Sequence, residues 1–238
     1  MTSLGNQHLV FMPGMDGTGL SFEPVLPFLP HSAKVTIVRY PADKFLSFDE
    51  TVECAAAQIP PGDPPIVIAE SFSGPAAIKM IGAGRIKARA LILCATFVKS
   101  PRPIVWRVMR FLHLPMLIKP EMPKRFFRLV IGDDKLIDKL LPLWKKIHAH
   151  VPARVMQHRL KIINEIDVTA WLSKIKIPCC YLQAFHDRLI PASCAQEIKK
   201  IAPFVEIKKI NAPHFILQAE PQACLKAIEV FCLKTTLI

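Results

Sequence analysis

The apolar positions of this chain fall into short runs that do not alternate with polar residues. Six of these runs, at 8–12, 34–38, 65–69, 90–95, 179–184 and 205–210, have the length of single strands. Between them, the stretches 47–59, 74–81, 192–202 and 221–233 have helical patterns. A strand without a polar face must be covered on both sides, and helices between successive strands supply the covers. The pattern predicts an α/β fold: a doubly wound, mostly parallel sheet of about six strands joined by right-handed crossovers.

The stretch 97–172 breaks this rhythm. It contains no clear strand, and its helical patterns are interrupted by prolines at 101, 103, 115, 120, 123, 142 and 152. It reads as a helical insertion after the fourth strand. The chain then divides into a core of 1–96 and 173–238 and an inserted segment of 97–172. A length of 238 residues suits one large domain with a substantial core.

Charge adds a second feature to the insertion. Between Lys99 and Glu165 stand fifteen basic and five acidic residues, which carry ten of the chain's net +12 charges. Three readings are open for this basic run. It is a solvated polar face, or a dock for an acidic partner carrying an acyl chain, or an attachment to an anionic membrane surface. Arg107 and Arg110 flank apolar residues within WRVMRF, and Arg125 and Arg128 repeat the theme within KRFFR. That mixture suits the second reading, with charge steering docking and apolar residues receiving the chain. No nucleic-acid recognition motif accompanies the charge, so no nucleic-acid partner is expected.

Other totals exclude whole classes. A hydrophobic fraction of 51% and a mean hydropathy of +0.31 exclude disorder. No apolar run reaches the ~18 residues of a transmembrane span. The opening MTSLGNQHLVFMPG has no cationic region followed by an apolar core, so no signal peptide is expected. Seven cysteines without CxxC spacing read as reduced thiols in a cytoplasmic protein. His113, His148, His150 and His158 lie in the insertion without a metal-ligand pattern.

Candidate chemistry follows from the sheet. In open parallel sheets, ligands bind beyond the carboxyl ends of the strands. Just past the first, third, fifth and sixth strands come PGMDGTG (13–19), ESFSG (70–74), FHDRLIP (185–191) and NAPHF (211–215). These loops bring a glycine-rich turn, Ser71, Asp187 and His214 to one rim. Each has a plain reading alone: a helix cap, a turn former, a loop histidine. Asp16 reads as a turn former, and His186 as a rim residue. Together they supply a hydroxyl, a base to take its proton and an acid to orient the base. The glycine-rich turn and the residue after the serine can offer backbone N–H groups to an oxyanion.

At this point the sequence resembles the α/β-hydrolase superfamily, in its order of elements over nearly the whole chain. The resemblance implies Ser71 as nucleophile on a strand-turn-helix elbow, Asp187 in the acid loop and His214 in the histidine loop. It makes PGMDGTG the oxyanion turn around Gly14, with the backbone N–H groups of Met15 and Phe72 as donors, and the insertion a lid. Three departures stand out. The usual G-x-S-x-G elbow is Ala69-Glu70-Ser71-Phe72-Ser73, with Gly74 one place late. Met12-Pro13 replaces the common His-Gly of the oxyanion turn. The antiparallel hairpin that often precedes the first parallel strand has no counterpart.

The expected function is that of a serine carboxylic-ester hydrolase acting through an acyl-enzyme, with an acyl ester as substrate and no metal or organic cofactor. The resemblance also contains a narrower expectation. Small lidded members cleave a methyl ester on an acyl chain held by acyl carrier protein, in biotin synthesis, and a thioesterase would use the same residues. A non-catalytic membrane-surface or ligand-binding protein on the same fold is the expectation from another class.

Overall fold

The structure, a computed structural model, describes residues 4–101, 127, 128 and 130–235. Six strands form one sheet, all parallel: β1 (His8–Met12), β2 (Lys34–Ile37), β3 (Ile66–Glu70), β4 (Ala90–Cys94), β5 (Cys179–Ala184) and β6 (Glu206–Ile210). Their spatial order is β2-β1-β3-β4-β5-β6. The chain leaves β1 in one direction to make β2, then returns to the other side of β1 to make β3. The switch point, where such sheets open a crevice, therefore lies between the ends of β1 and β3.

The absence of alternation along the strands has the expected cause. All five residues of β3 and of β4 are buried. Val67, Ala69, Leu91 and Leu93 point to one side, into a core shared with α1 (Phe48–Ala56) and α2 (Ser73–Gly82). Ile66, Ile68, Ala90 and Ile92 point to the other, against the turn at Leu20–Phe22 and the terminal helices. Residues of alternate parity on these two central strands thus feed two cores, and neither of their faces meets water, whereas Lys34 and Val35 of edge strand β2 and Lys209 of edge strand β6 are exposed.

Between β4 and β5 lie three described helices, α3 (Asp134–His150), α4 (Ala153–Ile163) and α5 (Thr169–Leu172). An antiparallel bridge between Lys99 and Asp167 ties the exit of this segment to its return. Ser100 N–H donates to Ile166 O at 3.2 Å and Val168 N–H to Val98 O at 2.9 Å. Prolines were expected to interrupt its helices, and at Pro142 this expectation fails: α3 runs through it. Pro142 is exposed, while Ile137, Leu140 and Ile147 on the same helix are buried. Packing of that apolar stripe outweighs the one backbone hydrogen bond the proline removes. Pro152 does end a helix, standing at the N-cap of α4.

After β5 come α6 (Ala192–Ile201), β6, the short α7 (Ile216–Ala219) and α8 (Pro221–Lys234). The six strands and the four helices whose limits the sequence pattern predicts fall within three residues of those limits. Among the described residues, no helix is long and apolar enough to cross a membrane, and no three His, Cys, Asp or Glu side chains gather to hold a metal.

The junction of β3 and α2 is held from behind by β4. A Cβ on Gly74 would lie 2.0 Å from Thr96 Oγ1 and 2.6 Å from Thr96 Cβ, and Thr96 is fully buried. Gly74→Ala should therefore lower the unfolding free energy by about 1–3 kcal/mol through overpacking. Chemical denaturation followed by circular dichroism measures this as a lower midpoint.

Candidate active site

β3 ends at Glu70, and the chain turns sharply into α2. Ser71 occupies that turn with φ at 48°, a left-handed conformation that side chains other than glycine rarely adopt. Several bonds hold it there. Ser71 N–H donates to Cys94 O at 2.9 Å, and Gly74 N–H to Ser71 O at 3.0 Å. Thr96 Oγ1–H donates to the same Ser71 carbonyl at 2.5 Å. Tyr181 fixes Thr96 in turn, accepting from its N–H at 3.1 Å and donating to its carbonyl at 2.7 Å.

The hydroxyl of Ser71 lies 3.0 Å from His214 Nε2, and His214 Nδ1 lies 2.8 Å from Asp187 Oδ2. A carboxylate only accepts, so Nδ1 carries the proton and Nε2 is left to accept from Ser71. The other oxygen of Asp187 accepts from Leu189 N–H and Ile190 N–H, both at 2.8 Å. The acid is therefore fixed by its own loop before it meets the histidine. The structure brings together the three side chains that the sequence nominates, although they come from loops after β3, β5 and β6.

Burial disfavours the imidazolium of His214, but the Asp187 charge, its hydrogen bond and the nearby Glu70 outweigh this and hold the pKa above the usual value. Glu70 itself is 4% exposed, and burial pushes its pKa up to about 7. Its Oε2 accepts from Gln218 Nε2 at 3.0 Å.

The glycine-rich turn lies beside the serine. Gly17 N–H donates to Gly14 O at 3.1 Å, closing a turn over Met15 and Asp16. A Cβ on Gly14 would stand 3.8 Å from Ser71 Cβ. Phe72 begins α2 as its N-cap, and its side chain is buried against Tyr40, edge to face, at 6.1 Å. Ser73 occupies the usual second glycine position and has its own task. Its buried hydroxyl donates to Pro13 O and accepts from Tyr40 Oη at 2.7 Å, which ties the elbow to the glycine-rich turn.

Arg159, 5% exposed, reaches from α4 to the same turn. It donates to Met15 O at 3.0 Å, Asp16 O at 2.6 Å and Pro41 O at 2.9 Å. Gly17 is required here twice over. Its φ is 70°, and a Cβ would come within 2.5 Å of the guanidinium. Asp16 is a turn former, as expected: Oδ1 accepts from Thr18 N–H at 2.9 Å and from its hydroxyl at 2.5 Å. Burial raises the Asp16 pKa, although the Thr18 bonds and the Arg159 charge oppose the rise.

A cavity of about 170 Å³ opens beside Ser71 and His214. Its far wall is apolar and comes largely from the segment between β4 and β5, with Leu140, Trp144 and Ile147 of α3 and Met156 of α4. Phe215 lies across from Trp144, ring centroids 6.2 Å apart. Of the four arginines nominated from the basic run, Arg107, Arg110 and Arg125 lie outside the described residues, as does His113. Arg128 is exposed and pairs with Asp134 at 2.6 Å. His186 is exposed on the rim, its Nε2 2.9 Å from Asn211 Oδ1.

Sequence reasoning did not single out Arg159, Ser73, Gln218 or the Glu70 carboxyl. Arg159 did carry a signal. It shares the helical stripe of Val155, Met156, Ile162 and Ile163, all buried, whereas Arg154 and Lys161 are exposed.

Over most of its length the chain is similar to solved structures at low identity. A bromoperoxidase from Bacillus anthracis has 13% identity and a TM-score of 0.78, over 96% of this chain and 92% of the other. An enol-lactonase from Burkholderia xenovorans LB400 has 12% identity and a TM-score of 0.76, over 96% and 92%. A lipase-esterase related protein from Clostridium acetobutylicum ATCC 824 has 17% identity and a TM-score of 0.74, over 95% of both chains. No family model matches the chain, and no curated protein matches it.

The electrostatic link between Glu70 and His214 is measurable. Replacing Glu70 with Gln removes a negative charge that favours the imidazolium. The His214 ring should then titrate at lower pH than in the parent, followed by NMR of its ring protons.

Proposed function

We propose that this chain, which has the α/β-hydrolase fold, is a serine carboxylic-ester hydrolase. One observation carries the reading: Ser71 Oγ is 3.0 Å from His214 Nε2 while His214 Nδ1 is 2.8 Å from Asp187 Oδ2. A hydroxyl attacks a carbonyl only when a base takes its proton, and the base must be held in one tautomer.

In this reading Ser71 Oγ adds to the carbonyl carbon of the ester as its proton passes to His214 Nε2. The imidazolium so formed is stabilised by Asp187, which keeps its own charge. The backbone N–H groups of Met15 and Phe72 donate to the tetrahedral oxyanion. Collapse of that intermediate expels the alcohol, which takes the proton from Nε2, and leaves the acyl group on Ser71. Water, activated by the same imidazole, adds to the acyl-enzyme, and its collapse releases the acid and restores Ser71. No step needs a metal or organic cofactor. The base works when neutral, so the rate rises with pH through the raised pKa of His214.

The segment 97–172 is the lid of this enzyme, and the acyl chain lies between it and the core, in the cavity walled by Trp144, Ile147 and Met156. Seven cysteines, none in a disulfide and six of them buried, support a cytoplasmic setting.

A fluorophosphonate probe read by intact mass should add once to the parent and not at all to Ser71→Ala. The same substitution should lower the hydrolysis of a p-nitrophenyl ester by roughly 10³-fold or more. A folded parent that takes no adduct would refute the reading.

A second reading has its own observation. Lys135, Lys139 and Lys145 are exposed on α3, the helix whose other face lines the cavity. A cationic outer face over an apolar channel suits an acyl group delivered by an acidic acyl carrier protein, as methyl ester or thioester. Reversing these three lysines to Glu should raise KM for a carrier-bound ester, relative to a free p-nitrophenyl ester, by roughly tenfold at low salt.

A further inference from the structure

The cavity surface is almost wholly apolar, but a few buried polar side chains are among the residues that line it. Ser21, Glu70 and Gln218 are three of them, and they are 7%, 4% and 2% exposed. They come from three places. Ser21 sits on the turn Leu20–Phe22, which packs against α3 and α7. Glu70 is the last residue of β3, and Gln218 is one helical turn beyond His214 on α7. Trp144 of α3 also lines the cavity.

Three polar atoms of this group have no hydrogen-bond partner: Ser21 Oγ, Gln218 Oε1 and Trp144 Nε1, all shut off from bulk water. Buried polar groups in folded proteins are nearly always paired, and an orphan is costly unless something completes it. The three residues that carry these orphans line one cavity next to a nucleophilic hydroxyl, although the atoms themselves do not open onto it in this conformation. They mark a place where a bound molecule supplies the missing partner once the side chains turn to meet it.

The chemistry of that partner follows from the donor and acceptor set. Gln218 has committed its amide nitrogen to Glu70, so Oε1 faces the other way, as an acceptor only. The indole N–H of Trp144 is a donor only, and the Ser21 hydroxyl is either. A carboxylate would satisfy Trp144 but oppose Gln218 Oε1. It would also meet Glu70 and Asp16, the two acidic side chains among the described residues of the cavity wall. An ammonium group would leave the indole unpaired. A hydroxyl both donates and accepts, and it carries no charge into an apolar cavity.

We propose that Ser21, Gln218 and Trp144 form a hydroxyl-binding subsite, with Glu70 as the positioning residue that orients the Gln218 amide, and that the substrate is an uncharged ester bearing a hydroxyl within a few carbons of the scissile bond. The proposal rests on the esterase reading for the chemistry but not for the binding. It adds specificity to that reading: an ester without the hydroxyl leaves buried polar groups unpaired, which is how sites reject close analogues.

The test uses the Ser71→Ala protein, which holds esters without turning them over. Isothermal titration would compare methyl hexanoate with methyl 2-, 3- and 6-hydroxyhexanoate and with 2-hydroxyethyl hexanoate, so that the hydroxyl is sampled on both sides of the ester. At least one hydroxylated ester should bind roughly tenfold or more tightly than methyl hexanoate. Adding Ser21→Ala, or separately Gln218→Met, should bring that ratio to about twofold or less. The ratio cancels any general loss of binding, and Ser21→Ala is the milder change if Gln218→Met does not fold. Equal affinities across the series would overturn the proposal, as would a preference that survives both substitutions, or no binding of any ester. Probe labelling of Ser71 in the parent is read separately. Labelling without a hydroxyl preference sinks the subsite alone, and a preference without labelling sinks the esterase reading alone.

Discussion

Ser71 holds its backbone in a left-handed turn at the end of a fully buried strand, and much of the molecule is arranged around that constraint. For a residue with a side chain, this conformation costs about 1–3 kcal/mol, and it persists only where the surroundings over-determine it. Here they do. The carbonyl of Cys94, the hydroxyl of Thr96 and the phenol of Tyr181 hold it from β4 and β5, and Gly74 removes the Cβ that would push Thr96 away. Ser73 and Tyr40 tie it to the neighbouring turn on the other side. Strand order also contributes. The chain reverses its direction of travel across the sheet at β1 and β3, and so the glycine-rich turn and the serine end side by side.

Charge is handled differently on the inside and the outside. Over the whole sequence the excess is twelve positive charges, ten of them between Lys99 and Glu165, and of the described lysines there Lys135, Lys139 and Lys145 are exposed. Inside, at the cavity, the titratable wall among the described residues is His214 with two acids, Glu70 and Asp16, both held above their usual pKa by burial. Among the described residues, the one buried cation is Arg159, and it is spent on backbone: three carbonyls accept from it. A planar, permanently charged fork suits this use better than a lysine would. It also gives the segment between β4 and β5 a direct hold on the turn beside Ser71.

The fold was legible because its rule is simple. Runs such as Ile66-Val67-Ile68-Ala69 lack polar positions, which forces a sheet covered on both faces, and the helices between fix the crossovers. The site was legible for a related reason: the carboxyl ends of parallel strands share a rim, so residues far apart in sequence could be placed together before any distance was known. What escaped was three-dimensional pairing. Ser73 looked like a substitute for glycine, and nothing local announced that its hydroxyl would bond Pro13. Gln218 is a polar residue in an apolar turn, and its partner is 148 positions away. Pro142 was misread because a local penalty was weighed without the buried stripe of α3 that opposes it. Arg159 was the avoidable miss, since helical phase alone sets it among buried residues.

The spacing of the three hydrogen-bonded side chains has a bearing on how the protein is made. Ser71 is 116 residues from Asp187 and 143 from His214, and the strands preceding the acid and the base are the last two of the sheet. Synthesis proceeds from the amino end, at about 5–20 residues per second. On the ribosome the serine exists for many seconds with neither base nor orienting acid, its hydroxyl no more reactive than that of any surface serine. These contacts are also of very long range, the kind formed late because the loop between them must close first. On the proposed reading of Ser71 as nucleophile, reactivity is thereby withheld from the nascent chain and from partly folded forms. It arises only in a molecule whose sheet is complete.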